Sequence, residues 1–181
     1  MENISAVELR KYIKTEYGKT ALDLSRRELS KVPEAVTDLK YLEELRLGRN
    51  NLTELPTSIN KLKNLTRLYL NENQLTYLPD SIGDLKELRR LRVSNNQLSA
   101  VPTSVQNLKK LKWLYLDGNH LTDLPEWIGD LKELRKLYVG VNPFTVDGMR
   151  SLLELKDKKK GKVYIPVYFT GGYNLRYFWL L

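Results

Sequence analysis

The sequence predicts an α/β solenoid, in which units of one strand and one short helical turn stack along an axis. A proline recurs every 23 residues, at Pro33, Pro56, Pro79, Pro102 and Pro125. Alignment at this period gives a sixth, irregular unit at 135–157 and five regular units at 20–42, 43–65, 66–88, 89–111 and 112–134. Seven positions hold Leu, Ile or Val in every regular unit, which is why Leu supplies 35 of the 181 residues.

The unit 66–88 shows what each part of the repeat does. A strand is predicted at 68–70, where leucines alternate with a tyrosine and therefore face one side. A tight helical turn, of the α or the 3₁₀ type, is predicted over 82–88, where apolar residues recur every three positions. Pro79 separates the two because it fixes φ and lacks a backbone N–H. One unit alone cannot bury its leucines, so neighbouring units must stack.

An asparagine follows each strand motif at the same 23-residue spacing. A carboxamide both donates and accepts hydrogen bonds, so a ladder of these side chains can satisfy the buried turn backbone from unit to unit. The first unit departs from the pattern and has Arg27 at this position. We therefore predict a structural Asn ladder of Asn50, Asn73, Asn96, Asn119 and Asn142.

With these positions filled, the repeat resembles the leucine-rich repeat family, whose pattern is LxxLxLxxNxLxxLPxxIxxL. The 23-residue LPxxI form is similar to the intracellular class found in many bacterial proteins and in plant Ras-group proteins. The resemblance covers residues 20–157, which we assign as six repeats, the sixth irregular. It implies a curved horseshoe with a parallel sheet lining the concave side.

A solenoid exposes its core at both ends unless a cap covers it. Residues 1–19 are predicted to be an N-terminal helical cap, with an amphipathic helix over 4–16. Ser5 and Glu8 have the spacing of a capping box at its start. The alternative is that this helix recruits a partner.

At the other end, the sequence predicts a helix over 148–156 with Asp147 as its N-cap. Residues 158–181 contain seven of the 17 aromatic residues and are predicted to form an aromatic hairpin cap. In this hairpin, a strand at 163–165 joins the sheet and 175–180 returns antiparallel to it. The alternative is an aromatic membrane or partner anchor.

Strand residues that face away from the leucines should line the concave surface in rows, because neighbouring strands lie ~4.8 Å apart. Tyr, Trp and Arg, the residue types that dominate interface hot spots, are concentrated there. Arginine-rich character favours an acidic protein segment as partner. The alternatives are a purely structural role in cross-strand stacking and a site on the convex side around Trp127. The predicted partner-binding residues are Arg46, Arg67, Tyr69, Arg90, Arg92, Trp113, Tyr115 and Tyr138.

Composition restricts enzyme chemistry. The chain has no Cys and a single His, His120, which excludes a disulfide, a cysteine nucleophile, a thiolate zinc site and a multi-histidine metal site. The motifs of phosphate-binding loops and of a serine nucleophile elbow are missing. We therefore expect a non-enzymatic protein–protein interaction module without a cofactor or metal. An enzyme fragment whose catalytic domain lies outside the chain remains an alternative.

The net charge of +8 is concentrated near the C-terminus, where seven basic and two acidic residues follow residue 149. A nucleic-acid partner is therefore not expected, since its binding site would place basic charge along the body of the protein. The alternative function is a peripheral membrane or surface-associated adaptor that uses the basic run 156–162 and the aromatic C-terminus. Without a signal sequence or Cys, the expected location is cytoplasmic. The expected oligomeric state is a monomer or weak dimer.

Overall fold

The computed structural model describes residues 6–16 and 18–159 of the 181-residue chain. Within these residues, seven strands form one open sheet in chain order. The first pair is antiparallel, and every later pair is parallel. The strands are β1 (Ile13–Glu16), β2 (Lys19–Asp23), β3 (Glu44–Arg46), β4 (Arg67–Tyr69), β5 (Arg90–Arg92), β6 (Trp113–Tyr115) and β7 (Lys136–Tyr138). The predicted solenoid with a parallel sheet is confirmed.

A short helix closes each regular unit on the side opposite the sheet. In the first unit it is one α-helical turn, α2 (Glu34–Thr37). In the next four units it is a 3₁₀ helix that follows a proline with φ between −64° and −68°, the value that the pyrrolidine ring imposes. These 3₁₀ helices span Thr57–Lys61, Asp80–Asp84, Thr103–Asn107 and Glu126–Asp130.

The core runs through the whole array between the sheet and the outer helices. All seven apolar positions of all five regular units are buried, and the most exposed of them, Val101, is only 7% accessible. The same register continues into the sixth unit, where Leu137 and Val139 of the strand motif are buried. The repeat pattern in the sequence therefore corresponds position by position to the core.

The Asn ladder connects neighbouring units through hydrogen bonds that are buried or, at Asn142, partly buried. Asn73 is representative, and its Nδ2 donates to the carbonyl of Leu70 in its own unit and of Leu47 in the preceding unit, both at 3.0 Å. Its Oδ1 accepts the backbone N–H of Leu52, also at 3.0 Å. The same three kinds of bond recur at Asn50, Asn96, Asn119 and Asn142.

The N-terminal cap differs from the predicted helix over 4–16. Its helical part consists of α1 (Ala6–Leu9) and a 3₁₀ turn at Arg10–Tyr12, and the chain then forms β1, antiparallel to β2. The helix prediction is therefore wrong for residues 13–16. A helix there would leave the edge of β2 without hydrogen-bond partners, whereas β1 supplies them. Ser5 of the predicted capping box lies outside the described residues.

The sixth unit continues into the helix α3 (Val146–Lys159), so the C-terminal helix is confirmed with longer bounds. Asp147 is not its N-cap. The Oγ1 of Thr145 accepts the backbone N–H of Gly148 at 3.1 Å, while Asp147 forms an exposed ion pair with Arg150. The predicted hairpin cap at 158–181 begins too early, because residues 158 and 159 belong to α3. The rest of that prediction lies outside the described residues, and the side chains of the basic run 156–162 do so too.

Candidate binding surface

The parallel register places equivalent strand residues in rows on the face of the sheet opposite the core. A third row is formed by the residues two positions after the last residue of each strand from β2 to β7. We call the three rows together the concave surface. The first row holds Ala21, Glu44, Arg67, Arg90, Trp113 and Lys136. The second row holds Asp23, Arg46, Tyr69, Arg92, Tyr115 and Tyr138. The third row holds Ser25, Gly48, Asn71, Ser94, Asp117 and Gly140.

The first half of this surface, on β2–β4, contains a closed ion-pair network. Glu44 is only 1% exposed, and its two oxygens accept hydrogen bonds from Arg46 (2.6 and 2.7 Å) and Arg67 (2.8 Å). Arg46 also lies 3.5 Å from the carboxylate of Asp23. A buried carboxylate needs such partners because desolvation disfavours its charge. Two of the four predicted arginines are therefore occupied within the protein.

Asp23 belongs to the same network at its edge. Partial burial raises the pKa of the Asp23 carboxyl, but hydrogen bonds from Ser25 and the nearby Arg46 guanidinium outweigh this effect. The pKa of Asp23 therefore lies below its usual value. The carboxylate stays charged in the neutral range and holds Arg46 in place.

The second half, on β5–β7, is built from cations and aromatic rings. The Arg90 guanidinium lies over the indole of Trp113, with 4.7 Å from Cζ to the ring centroid. Its Nη1 donates to the hydroxyl of Tyr69 at 3.2 Å. The Arg90 Nε is buried without a hydrogen-bond partner within the described part of the chain. Arg90 is thus held by aromatic groups rather than by a carboxylate.

Arg92 occupies the second row of the same half and is exposed. Its Cζ lies 5.7 Å from the centroid of the Tyr115 ring. Tyr115 in turn stacks on Tyr138, with centroids 4.5 Å apart and the planes 8° from parallel. The structure therefore brings five of the eight predicted residues into two stacks on neighbouring strands. We call the two stacks together the Arg–aromatic cluster: Arg90 with Trp113, and Arg92 with Tyr115 and Tyr138.

The sequence analysis does not identify Glu44 as the ion-pair partner of two arginines. The signal was present, because Glu44 lies two residues before Arg46 on one strand and directly opposite Arg67 on the next. Both positions are neighbours on a sheet face, where opposite charges pair. The repeat alone does not say which of the neighbouring arginines the Glu44 carboxylate contacts, and the structure shows that it contacts both.

The family follows from the repeat itself. The family model of the leucine-rich repeat region matches residues 20–95 and 68–160, which together exceed half of the chain. The chain belongs to the leucine-rich repeat family. No curated protein matches this leucine-rich repeat chain.

Two solved structures are similar to the leucine-rich repeat chain. A leucine-rich repeat protein of Leptospira interrogans is 37% identical, with a TM-score of 0.74 over 80% of this chain. The internalin InlF of Listeria monocytogenes is 19% identical, with a TM-score of 0.63 over 78% of this chain and 45% of its own length. At that identity the internalin shows the fold alone. The chain spans 36% of the length of the Leptospira protein.

Other surfaces of this leucine-rich repeat protein have fewer features of a binding site. Trp127 on the convex side is half-buried and packs against the core, so it is less exposed than its sequence position suggested. His120 is exposed in a turn. Within residues 6–16 and 18–159, no cluster of His, Asp and Glu has the arrangement of a metal site. The helices of that part are also too short or too polar to cross a membrane.

Proposed function

We propose that this leucine-rich repeat chain is a non-enzymatic protein–protein interaction module that binds an acidic protein segment on its concave surface. The observation that supports the proposal is the Arg–aromatic cluster. Stacked Arg, Trp and Tyr side chains at solvent-facing strand positions are the groups that dominate interface hot spots. Packing of the core does not require them there, because the leucines of the same strands already fill it.

The scaffold favours binding because the surface is ordered before a partner arrives. The side chains of the first two concave rows lie on strands whose neighbours are fixed by the sheet and by the Asn ladder. Binding to this surface therefore costs less free energy for the ordering of side chains than binding to a mobile loop would. Assignment to the 23-residue LPxxI intracellular class, and with it a cytoplasmic location, is part of the same proposal.

Affinity capture from native lysate tests this function. The bait is wild-type protein beside a variant with Tyr69, Trp113 and Tyr115 all changed to Ala. A matched control is Tyr77→Ala, since Tyr77 is a half-exposed tyrosine outside the concave surface that donates to Glu54. Thermal unfolding of each variant establishes that it still folds.

We expect wild type and Tyr77→Ala to capture the same protein, and the triple variant to lose it. Equal capture by all three baits contradicts the proposal and moves the site away from the concave surface. Liposome sedimentation at several salt concentrations then tests the alternative adaptor function, since binding through a basic cluster weakens as salt rises.

A further inference from the structure

We propose that the two halves of the concave surface have different roles, and that Arg90 and Arg92 alone form the docking site for carboxylates of an extended acidic segment. This inference rests on the proposed function and specifies where the partner's charge binds. In this proposal, the charged side chains of β2–β4 neutralise one another, and we call them the paired charges. The Arg–aromatic cluster makes the charged contact with the partner.

The first step is the balance of positive and negative charge among the paired charges of β2–β4. On β2–β4 the first two rows contain two carboxylates, Asp23 and Glu44, and two guanidinium groups, Arg46 and Arg67. All four are joined by contacts of 2.6–3.5 Å. An incoming carboxylate would have to compete with Glu44, which is already desolvated and doubly bonded. Such competition gains little free energy, because one charged bond merely replaces another.

The second step is the charge excess on β5–β7. The same two rows contain three cations there, Arg90, Arg92 and Lys136, and no acidic residue. The third row adds one carboxylate, Asp117, which accepts a hydrogen bond from the Ser94 hydroxyl at 2.8 Å. Within the described residues neither Arg90 nor Arg92 has a salt-bridge partner. This half of the surface is therefore complementary to negative charge.

The third step is the geometry of the two guanidinium groups. An aromatic ring stabilises a guanidinium through its face and leaves the in-plane N–H groups at its edge available. Trp113 covers the face of Arg90, and Tyr115 lies beside Arg92. The edge of a guanidinium matches a carboxylate bidentately. Trp113 and Tyr115 thus orient both arginines without accepting their N–H groups. Because the Nε of Arg90 is buried and its Nη1 also donates to Tyr69, a carboxylate would approach Arg90 at its two terminal nitrogens.

The fourth step is spacing. Arg90 and Arg92 are two residues apart on β5, so their Cα atoms are separated by about 6.6 Å along the strand. Alternate side chains of an extended peptide have the same spacing and face one side. The site therefore fits a segment with two acidic residues at positions i and i+2. Tyr69 on β4 and Tyr115 on β6 lie on either side of Arg92 and would contact the two long edges of the segment.

The test uses a random library of displayed 12-residue peptides selected on immobilised wild type. Enriched peptides are then labelled with fluorescein, and their affinities are measured by anisotropy. The variants are Arg92→Ala, Arg92→Lys and Lys109→Ala. Lys109 is the matched control, since it is an exposed cation of the same repeat, outside the concave surface.

We expect enriched peptides with acidic residues two positions apart. Arg92→Ala should weaken them about tenfold or more. Arg92→Lys should weaken them several-fold, since a lysine keeps the charge but not the planar fork. Lys109→Ala should change affinity less than twofold. Thermal unfolding separates these effects from loss of the fold, and Arg90→Lys serves as a second variant at the other guanidinium.

Other outcomes overturn the inference. Peptides that require Tyr115 but carry no acidic excess, or that are insensitive to Arg90 and Arg92, would overturn carboxylate docking while leaving the concave surface as the binding site. Acidic peptides without the i and i+2 spacing would overturn the pairing of one carboxylate with each arginine. If no enriched peptide requires the concave surface, the proposed function fails together with the inference.

Discussion

From the second repeat onward, one asparagine in each repeat satisfies backbone groups of two units. The Nδ2 of Asn96 donates to Val93 in its own unit (3.0 Å) and to Leu70 in the preceding one (2.9 Å). Its Oδ1 accepts the N–H of Leu75 at 3.0 Å. These groups lie in the interior, where water cannot replace a lost partner. The side chain therefore contributes by preventing unsatisfied polar groups rather than by filling volume.

Asn96→Ala should lower the free energy of unfolding by about 1–3 kcal/mol, because it leaves buried backbone groups without partners. Urea denaturation measures the change, with one slope of unfolding free energy against urea concentration used for both proteins. Asn107→Ala is the matched control, since Asn107 is exposed and should change stability by less than about 0.5 kcal/mol. Equal effects of the two substitutions would contradict the ladder's role in stability.

At the residue scale, apolar and amide positions were predictable because each has the same surroundings in every unit. A leucine at position 68 or 91 meets the same neighbours, so periodicity alone identifies the core. Concave residues differ from unit to unit, and each one's partner depends on the next strand. The sequence therefore predicted that Arg46 would be on this surface, but not that Glu44 would neutralise it.

At the scale of elements, each strand from β3 to β7 is only three residues long and depends on its central leucine for stability. The central residue of β6, Leu114, is fully buried between the neighbouring units. Three-residue strands have few hydrogen bonds of their own, so packing beneath the sheet contributes most of their stability.

Leu114→Ala should lower the free energy of unfolding by about 2–5 kcal/mol, through lost burial and the cavity that remains. Lys132→Ala in the same repeat is the control, because Lys132 is exposed and its loss leaves the core intact. Calorimetric melting temperatures of the two variants measure the difference. A melting temperature of Leu114→Ala equal to that of wild type would mean that the repeat register is wrong.

The start of α3 gives a second test at this scale. Thr145→Ala removes the side chain that accepts the Gly148 N–H and should cost about 1 kcal/mol. Asp147→Ala should cost less, since its exposed ion pair with Arg150 contributes little. Urea denaturation of both variants distinguishes the cap from its neighbour, and a larger loss for Asp147→Ala would restore the cap predicted from sequence.

The caps were less predictable than the repeats for a physical reason. The regular repeat occurs five times, so its equivalent positions can be compared within the sequence. Each cap occurs once and allows no such comparison. Ile13 and Thr15 are β-branched and favour a strand, but the apolar spacing of the same segment also fits a helix. The exposed edge of β2 decides between them, and that edge exists only once the array has formed.

The whole molecule behaves as a nearly one-dimensional array, in which each unit contacts its neighbours and little else. Its rows follow from repetition, so the sequence predicts the repeat array at this scale, whereas the caps have to be found from the structure. The Arg–aromatic cluster, in contrast, depends on the order of units. Moving one unit changes which concave residues face each other while leaving the core unchanged. Scaffold and binding surface are therefore separable properties of the same chain.

Deletion of residues 66–88 tests this separation, because it removes one complete unit and joins β3 to β5 in register. The shortened protein should unfold in a single transition at a lower temperature, since Leu45 would pack beside Leu91 as it now does beside Leu68. Glu44 would then lie opposite Arg90 and neutralise it. We therefore expect peptides selected for acidic residues to bind the shortened protein at least several-fold more weakly.

Deletion of only 66–76 is the control for this experiment. It removes fewer residues, but it takes away β4 and Asn73 while keeping the 3₁₀ helix Asp80–Asp84 of the same unit. The sheet would lose its register between β3 and β5, and the leucines of the remaining half-unit would have no strand above them. Circular dichroism melting should show a lower and broader transition for this variant than for the deletion of 66–88. If the smaller deletion is the more stable one, stability does not depend on complete units, and the nearest-neighbour account of the array is wrong.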